Sequence, residues 1–141
     1  MSVVRAGPPT MPRTRRSVTA RFPAQPAAVR DTREFVRRCL EDPLLVDDAL
    51  LLVSELASNA IEHARSSYEV RVEHKQATVR VAVRDRCRRP AHVIRAPVDA
   101  PRGRGLRIVA SLASRWGVER KPLRGKAVWF ELDVPARAVP R

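Results

Sequence analysis

Apolar residues recur along this chain in two rhythms, and the changes from one to the other mark out its elements. Between Ala27 and Leu40 the apolar stripe runs through Ala28, Thr32, Phe35, Val36, Cys39 and Leu40, leaving Arg30, Arg33, Glu34 and Arg37 largely outside it. That spacing predicts an amphipathic helix. Asp42 as a cap and Pro43 as first residue open a second helix that runs to about Arg65, with Asp47 and Asp48 suiting the positive end of its dipole. Tyr68 to His74 then alternates with period two, turns at Lys75-Gln76 and resumes from Ala77 to Asp85, which is a hairpin. Weaker alternation from Ser17 to Phe22 predicts an earlier strand. An apolar helix follows Gly105, a short strand lies near Gly117-Val118, and a last strand puts Val128, Phe130, Leu132 and Val134 on one face.

The second helix carries the most pointed chemistry. At about 100° per residue Glu55, Asn59 and Glu62 fall on one line, while Val53, Leu56, Ala57, Ala60 and Ala64 cover the opposite side. A carboxylate one turn from a carboxamide can divide labour: the first orients or deprotonates a nucleophile, and the amide oxygen ligates a hard cation such as Mg²⁺. The same residues also suit the wet side of any amphipathic helix. His63, near the helix end, is read as structural. On the hairpin's second strand Ala77, Val79, Val81, Val83 and Asp85 share a face. A carboxylate there is costly unless satisfied, so Asp85 is either a strand-end cap or an acceptor for a ligand donor such as an adenine amino group. Arg86 to Pro101 is aperiodic and has the profile of a lid or binding loop. Gly103-Arg104-Gly105 then leads into a helix N-terminus, where glycines let a phosphate approach backbone N–H groups, although a turn there needs glycine anyway.

Composition narrows the classes. With 141 residues, 44% of them hydrophobic, the chain can bury one real core. Residues 1 to 16 read as a flexible basic arm, 17 to 135 as the domain and 136 to 141 as a tail. Cys39 and Cys87 are isolated, which signals neither a zinc site nor a disulfide framework. The net charge of +13 points toward an acidic partner. It is scattered, however, and aromatics make up only 4%, with Trp116, Trp129 and Phe130 inside apolar patterns that look like core. Both facts argue against direct nucleic-acid binding, and an arginine-heavy composition also fits a GC-rich genome. Arg21 interrupts any export signal after Arg15-Arg16, and no apolar run reaches the roughly 18 residues of a membrane span, so a soluble, cytoplasmic protein is expected.

Glu55-x-x-x-Asn59, Asp85 at a strand end, Gly103-x-Gly105-Leu106 and Gly125-Lys126-Ala127 occur in the order and contexts of the N box and three glycine boxes of GHKL (Bergerat-fold) ATPases. Together with His63-Ala64, Ile108-Val109, Arg115-Trp116-Gly117 and Val128-Trp129-Phe130-Glu131-Leu132, they resemble the small single-domain anti-sigma-factor serine/threonine kinases of actinomycete type, over about residues 17 to 135. The resemblance implies an α/β two-layer sandwich, a mixed and mostly antiparallel sheet with helices on one face, and it implies ATP and Mg²⁺ as cofactors. By position it makes Glu55 the general base for an attacking serine hydroxyl and Asn59 the Mg²⁺ ligand. Asp85 would accept from the adenine amino group, Gly103, Arg104, Gly105 and Leu106 would wrap the phosphates, and Ala127 would stand beside the base. The implied partners are a sigma factor and an anti-anti-sigma (STAS-like) protein, and the resemblance makes a homodimer possible. Two departures stand out: Asp85-Arg86-Cys87-Arg88-Arg89 has no glycine after the aspartate, and Ala127 replaces a frequent threonine. One lost hydrogen bond of that kind is worth roughly 0.5–1.5 kcal/mol, which weakens binding without abolishing it. The glycine-free stretch leaves a second reading open, a non-catalytic docking module, and the charge leaves a third, a nucleic-acid binder.

Overall fold

Period-two alternation becomes strand wherever it was found, and the strands join edge to edge. The computed structural model describes residues 16–86, 104–121 and 125–135. In it β1 (Arg16–Phe22), β2 (Tyr68–His74), β3 (Thr78–Asp85), β4 (Arg115–Lys121) and β5 (Gly125–Asp133) form one open sheet in the order β1-β2-β3-β5-β4. Every pairing is antiparallel, the limiting case of the mostly antiparallel sheet expected. Three helices, α1 (Ala28–Cys39), α2 (Val46–Asn59) and α3 (Arg104–Leu112), make the second layer of an α/β sandwich.

The core lies between the layers. In register, Val72 stands opposite Val81, Val81 opposite Phe130 and Val83 opposite Val128, so one face of the pleat is continuously apolar. Leu52, Val53, Leu56 and Ala57 of α2 press on it, each at most 2% exposed. Burying a side chain of leucine or valine size contributes about 1.5–3 kcal/mol, and these contacts are what keep α2 helical. At the β1 end an aromatic cluster takes over. Phe22 stacks on Tyr68 with centroids 5.7 Å apart and meets Phe35 edge-on at 5.9 Å. The Tyr68 hydroxyl and Thr32 Oγ lie 2.8 Å apart and satisfy each other in the interior, tying α1 to β2.

Two expectations change. Ala77 is exposed in the turn before β3, outside the buried row of Val79, Val81, Val83 and Asp85. Trp129 is not core with Phe130: strict alternation turns it to the opposite, helix-free face. There its ring lies against Gly117, where a Cβ would come within 2.7 Å of the indole, and under the Arg80 guanidinium, 4.0 Å from the ring centroid.

Candidate functional site

The front of α2 is shaped by how the helix begins and ends. Asp42 Oδ1 accepts from the Leu44 backbone N–H at 2.9 Å, and Pro43–Leu45 forms a 3₁₀ turn that feeds the α-helix. After Asn59 the regular step stops: Ala60–Ala64 is a π turn, closed by Arg65 in the left-handed region (φ 55), whose N–H donates to Ala60 O at 3.3 Å. Single π turns inside helices are frequent at functional sites. Glu62, exposed within it, therefore leaves the line extrapolated from Glu55 and Asn59.

Glu55 and Asn59 are half-buried, one turn apart, and neither has a hydrogen bond or ion pair to another described residue. Their neighbour Ser54 is fastened instead. Arg33 Nη1 donates to Ser54 Oγ at 2.8 Å, and Ser54 Oγ donates to Leu50 O at 2.6 Å, which locks the α1 and α2 fronts together. Arg33 escaped the sequence reading because it lies outside the apolar stripe of its own helix.

Asp85 ends β3 with its side chain on the helix-covered face, 4% exposed. Its cross-strand partner is Lys126, itself 8% exposed, with Nζ 3.8 Å from Asp85 Oδ2. Lys126 is thus a buried counter-charge and not part of the solvated surface. Gly125 beside it has φ +80, and a Cβ there would fall 1.9 Å from Asp85 O. Only glycine permits β5 to start so close to the end of β3. Ala127 is buried but, one residue further along the pleat, turns to the helix-free face with Arg84 and Glu119. The structure therefore brings Asp85 and Gly125 together and sends the Ala127 methyl the other way, so a hydroxyl at position 127 would not point to Asp85's side.

The helix foreseen after the glycines is α3, packed along α2 with Val109 fully buried. Arg104, Gly105 and Leu106 form its first turn. Gly103, most of the lid at Arg86 to Pro101, and Cys87 lie outside the described residues. Among the described residues no three His, Cys, Asp or Glu side chains converge on a metal position. A Mg²⁺ at Asn59 would thus need oxygens from the bound group itself, the usual arrangement for a cation carried with phosphates.

The helix-free face holds a site that the sequence did not announce. Glu131, 7% exposed, accepts from Arg115 Nε at 2.7 Å, Arg80 Nε at 2.9 Å and Lys75 Nζ at 3.3 Å, while Arg115 also bridges to Asp133. Burial alone would raise the Glu131 carboxyl, but the hydrogen bonds from Arg115, Arg80 and Lys75 outweigh it and hold it down at about 2. The donors come from three separate parts of the chain, and no local pattern joins them.

Residues 22–132 match the model of the histidine kinase-like ATPase domain. Among curated proteins none matches the chain. No helix among the described residues is long and apolar enough to cross a membrane.

Proposed function

The chain belongs to the histidine kinase-like ATPase domain family, and from that premise we propose that it is an ATP- and Mg²⁺-dependent serine/threonine kinase of the anti-sigma type, phosphorylating a serine hydroxyl of an anti-anti-sigma protein and sequestering a sigma factor. Membership implies nucleotide binding; the kinase step and the partners are the proposal. The observation that carries it is the pair Glu55 and Asn59, half-buried on α2 one turn apart and unengaged by other described residues. The chain has arginines in plenty, yet Glu55 has no cationic partner among the described residues.

The residues fit the cofactor chemically. Asn59 offers a neutral amide oxygen to Mg²⁺, Asp85 offers a buried acceptor to an amino group, and the first turn of α3 offers backbone N–H groups to phosphate oxygens. When bound, ATP would supply the γ-phosphoryl group, with ADP as the leaving group. Glu55 would accept the proton of the attacking hydroxyl at its carboxylate oxygen.

A second reading has its own observation. Lys126 already stands beside the Asp85 carboxylate, so a nucleotide must share that acceptor with a buried cation, which favours a docking module with a weakened site. Calorimetric titration with ATP and Mg²⁺ separates the two. Binding by the wild type that is lost in Asn59→Ala supports the nucleotide site, and no binding by the wild type favours the docking module. In the kinase reading Glu55→Gln keeps ATP binding while phosphate transfer to the partner's serine falls about 10²–10⁴-fold. Transfer undiminished in Glu55→Gln overturns the assigned role.

A further inference from the structure

The sheet has a concavity on the face that no described helix covers. A cavity of about 700 Å³ opens over the ends of β1, β2 and β3, lined by Arg21, Arg71, Arg84, Arg86 and Lys121. The alternation that puts Val70, Val72 and Val83 under the helices puts Arg71 and Arg84 on this reverse side, away from Glu55 and Asn59. Among the described residues Asp85 and Gly125, at the very end of the sheet, border both sides.

Charge there is unbalanced. Arg21 donates to Glu69 Oε2 at 2.9 Å, and Arg84 Nη2 lies 3.7 Å from Glu119 Oε1. Arg71, Arg86 and Lys121 have no ion pair among the described residues; Arg71 makes one long hydrogen bond, 3.4 Å, to Ser17 Oγ. Arg84 Nη1 is shielded from solvent and has no acceptor among the described residues. An unmet buried guanidinium donor is costly, and it leaves Arg84 with donor capacity for an incoming oxygen. The contrast with the Glu131 cluster on the same face is informative: there, three cations converge on a buried carboxylate, whereas here five cations gather round a hollow.

We propose that this cavity binds a short polyphosphate chain. Arginine forks match phosphate oxygens two at a time, and like charges assembled around one concavity repel unless a multivalent anion lies between them. The lining also says what does not bind. Among the described residues Ala82 is its single apolar side chain; Thr19 and Ser67 add hydroxyls, and Glu69 a carboxylate. The described residues form no apolar or aromatic wall to anchor a peptide side chain or to stack a base. The chemistry is that of the phosphate chain alone, available either as free inorganic polyphosphate or as the tail of a nucleotide whose base stays outside. The site is independent of the ATP reading, because none of its cations lies on α2 or α3.

Calorimetric titration of the full chain with sodium tripolyphosphate tests it, on the wild type, Arg71→Gln/Lys121→Gln, Asn59→Ala, and Arg37→Gln/Arg38→Gln as a control that removes the same charge from the exposed side of α1. The expected result is binding weakened about tenfold or more in Arg71→Gln/Lys121→Gln and changed less than about twofold in the other two variants, with the thermal midpoint unmoved. Equal weakening in the Arg37→Gln/Arg38→Gln control reduces the effect to net charge and overturns the site. Loss confined to Asn59→Ala assigns the binding to the front of α2 and overturns it too, as does no binding by the wild type or hexaglutamate binding as tightly. In the Asn59→Ala protein, ATP that displaces tripolyphosphate names the nucleotide tail as the source, and ATP that does not names free polyphosphate. If Asn59→Ala leaves ATP binding intact, the front-face reading fails and this one stands.

Discussion

The two faces of the sheet handle polar groups in opposite ways. Beneath the helices most of the sheet is apolar, and the polar side chains most fully buried there, Asp85 with Lys126 and Thr32 with Tyr68, are pairs. On the bare face charge is the rule, arranged either as a closed knot around Glu131 or as an open ring of cations around a cavity. Exposure to water does not account for the difference, since Glu131 is nearly as buried as Asp85. The difference lies in what surrounds each carboxylate. Glu131 has three charged donors within 3.3 Å, whereas the Lys126 ammonium stands 3.8 Å from Asp85, beyond direct hydrogen-bond range. A carboxylate met by three charged donors at hydrogen-bond distance serves the fold.

Adjacent residues give the sharpest way to break this comparison. Phe130→Ala empties a fully buried site under the helices and should cost about 3–5 kcal/mol in urea denaturation. Trp129→Ala, one residue earlier on the bare face, should cost about 1–2 kcal/mol, from the half-buried ring and its contact with Arg80. Equal losses would mean that the two faces do not differ in the way described. Gly125→Ala comes next. Its Cβ cannot coexist with Asp85 O, so β5 must move away from the end of β3, with a loss of about 2–4 kcal/mol. Because that junction borders both sides, ATP and tripolyphosphate binding should weaken together in the same variant.

The smallest expected effect is on the Glu131 knot, and its sign follows from the depressed carboxyl. A group at 4.5 when unfolded and about 2 when folded adds stability that is complete above pH 4.5 and is lost as pH falls toward 2. The His74 imidazole, lowered chiefly by burial, acts in the same direction at somewhat higher pH, since it must gain a proton on unfolding. Glu131→Gln should therefore lower stability by about 1–3 kcal/mol at neutral pH and flatten its decline between pH 4.5 and 2. Denaturation midpoints measured across that range check both parts, and an unchanged acid slope would separate the decline from Glu131.

The helix-covered face could be read from the sequence because periodicity alone specifies it. The 3.6-residue rhythm placed Leu56 and Ala57 inward and Glu55 and Asn59 half outward, and the two-residue rhythm buried Asp85 before any partner was known. The same rhythm, applied strictly, would have turned Trp129 away from Phe130; an apolar run hid the alternation. Other features depend on cross-strand register, which one strand cannot supply. Lys126 faces Asp85, and Glu131 faces Arg80 and Arg115, only once β5 is seated between β3 and β4. The π turn has no signal in Ala60-Ile61-Glu62-His63-Ala64 that a regular helix would lack.

The indole lying across Gly117 gives the molecule its own optical gauge. The chain has two tryptophans, and the sheet sends them to opposite sides: Trp116 is in register with Phe130, and Trp129 with Ala82 on the floor of the cationic hollow. With Trp116→Phe, all indole emission comes from the cavity side; with Trp129→Phe, it comes from the helix side. Light from a single residue can then distinguish occupancy behind the sheet from rearrangement in front of it, in the intact protein and with no dye attached.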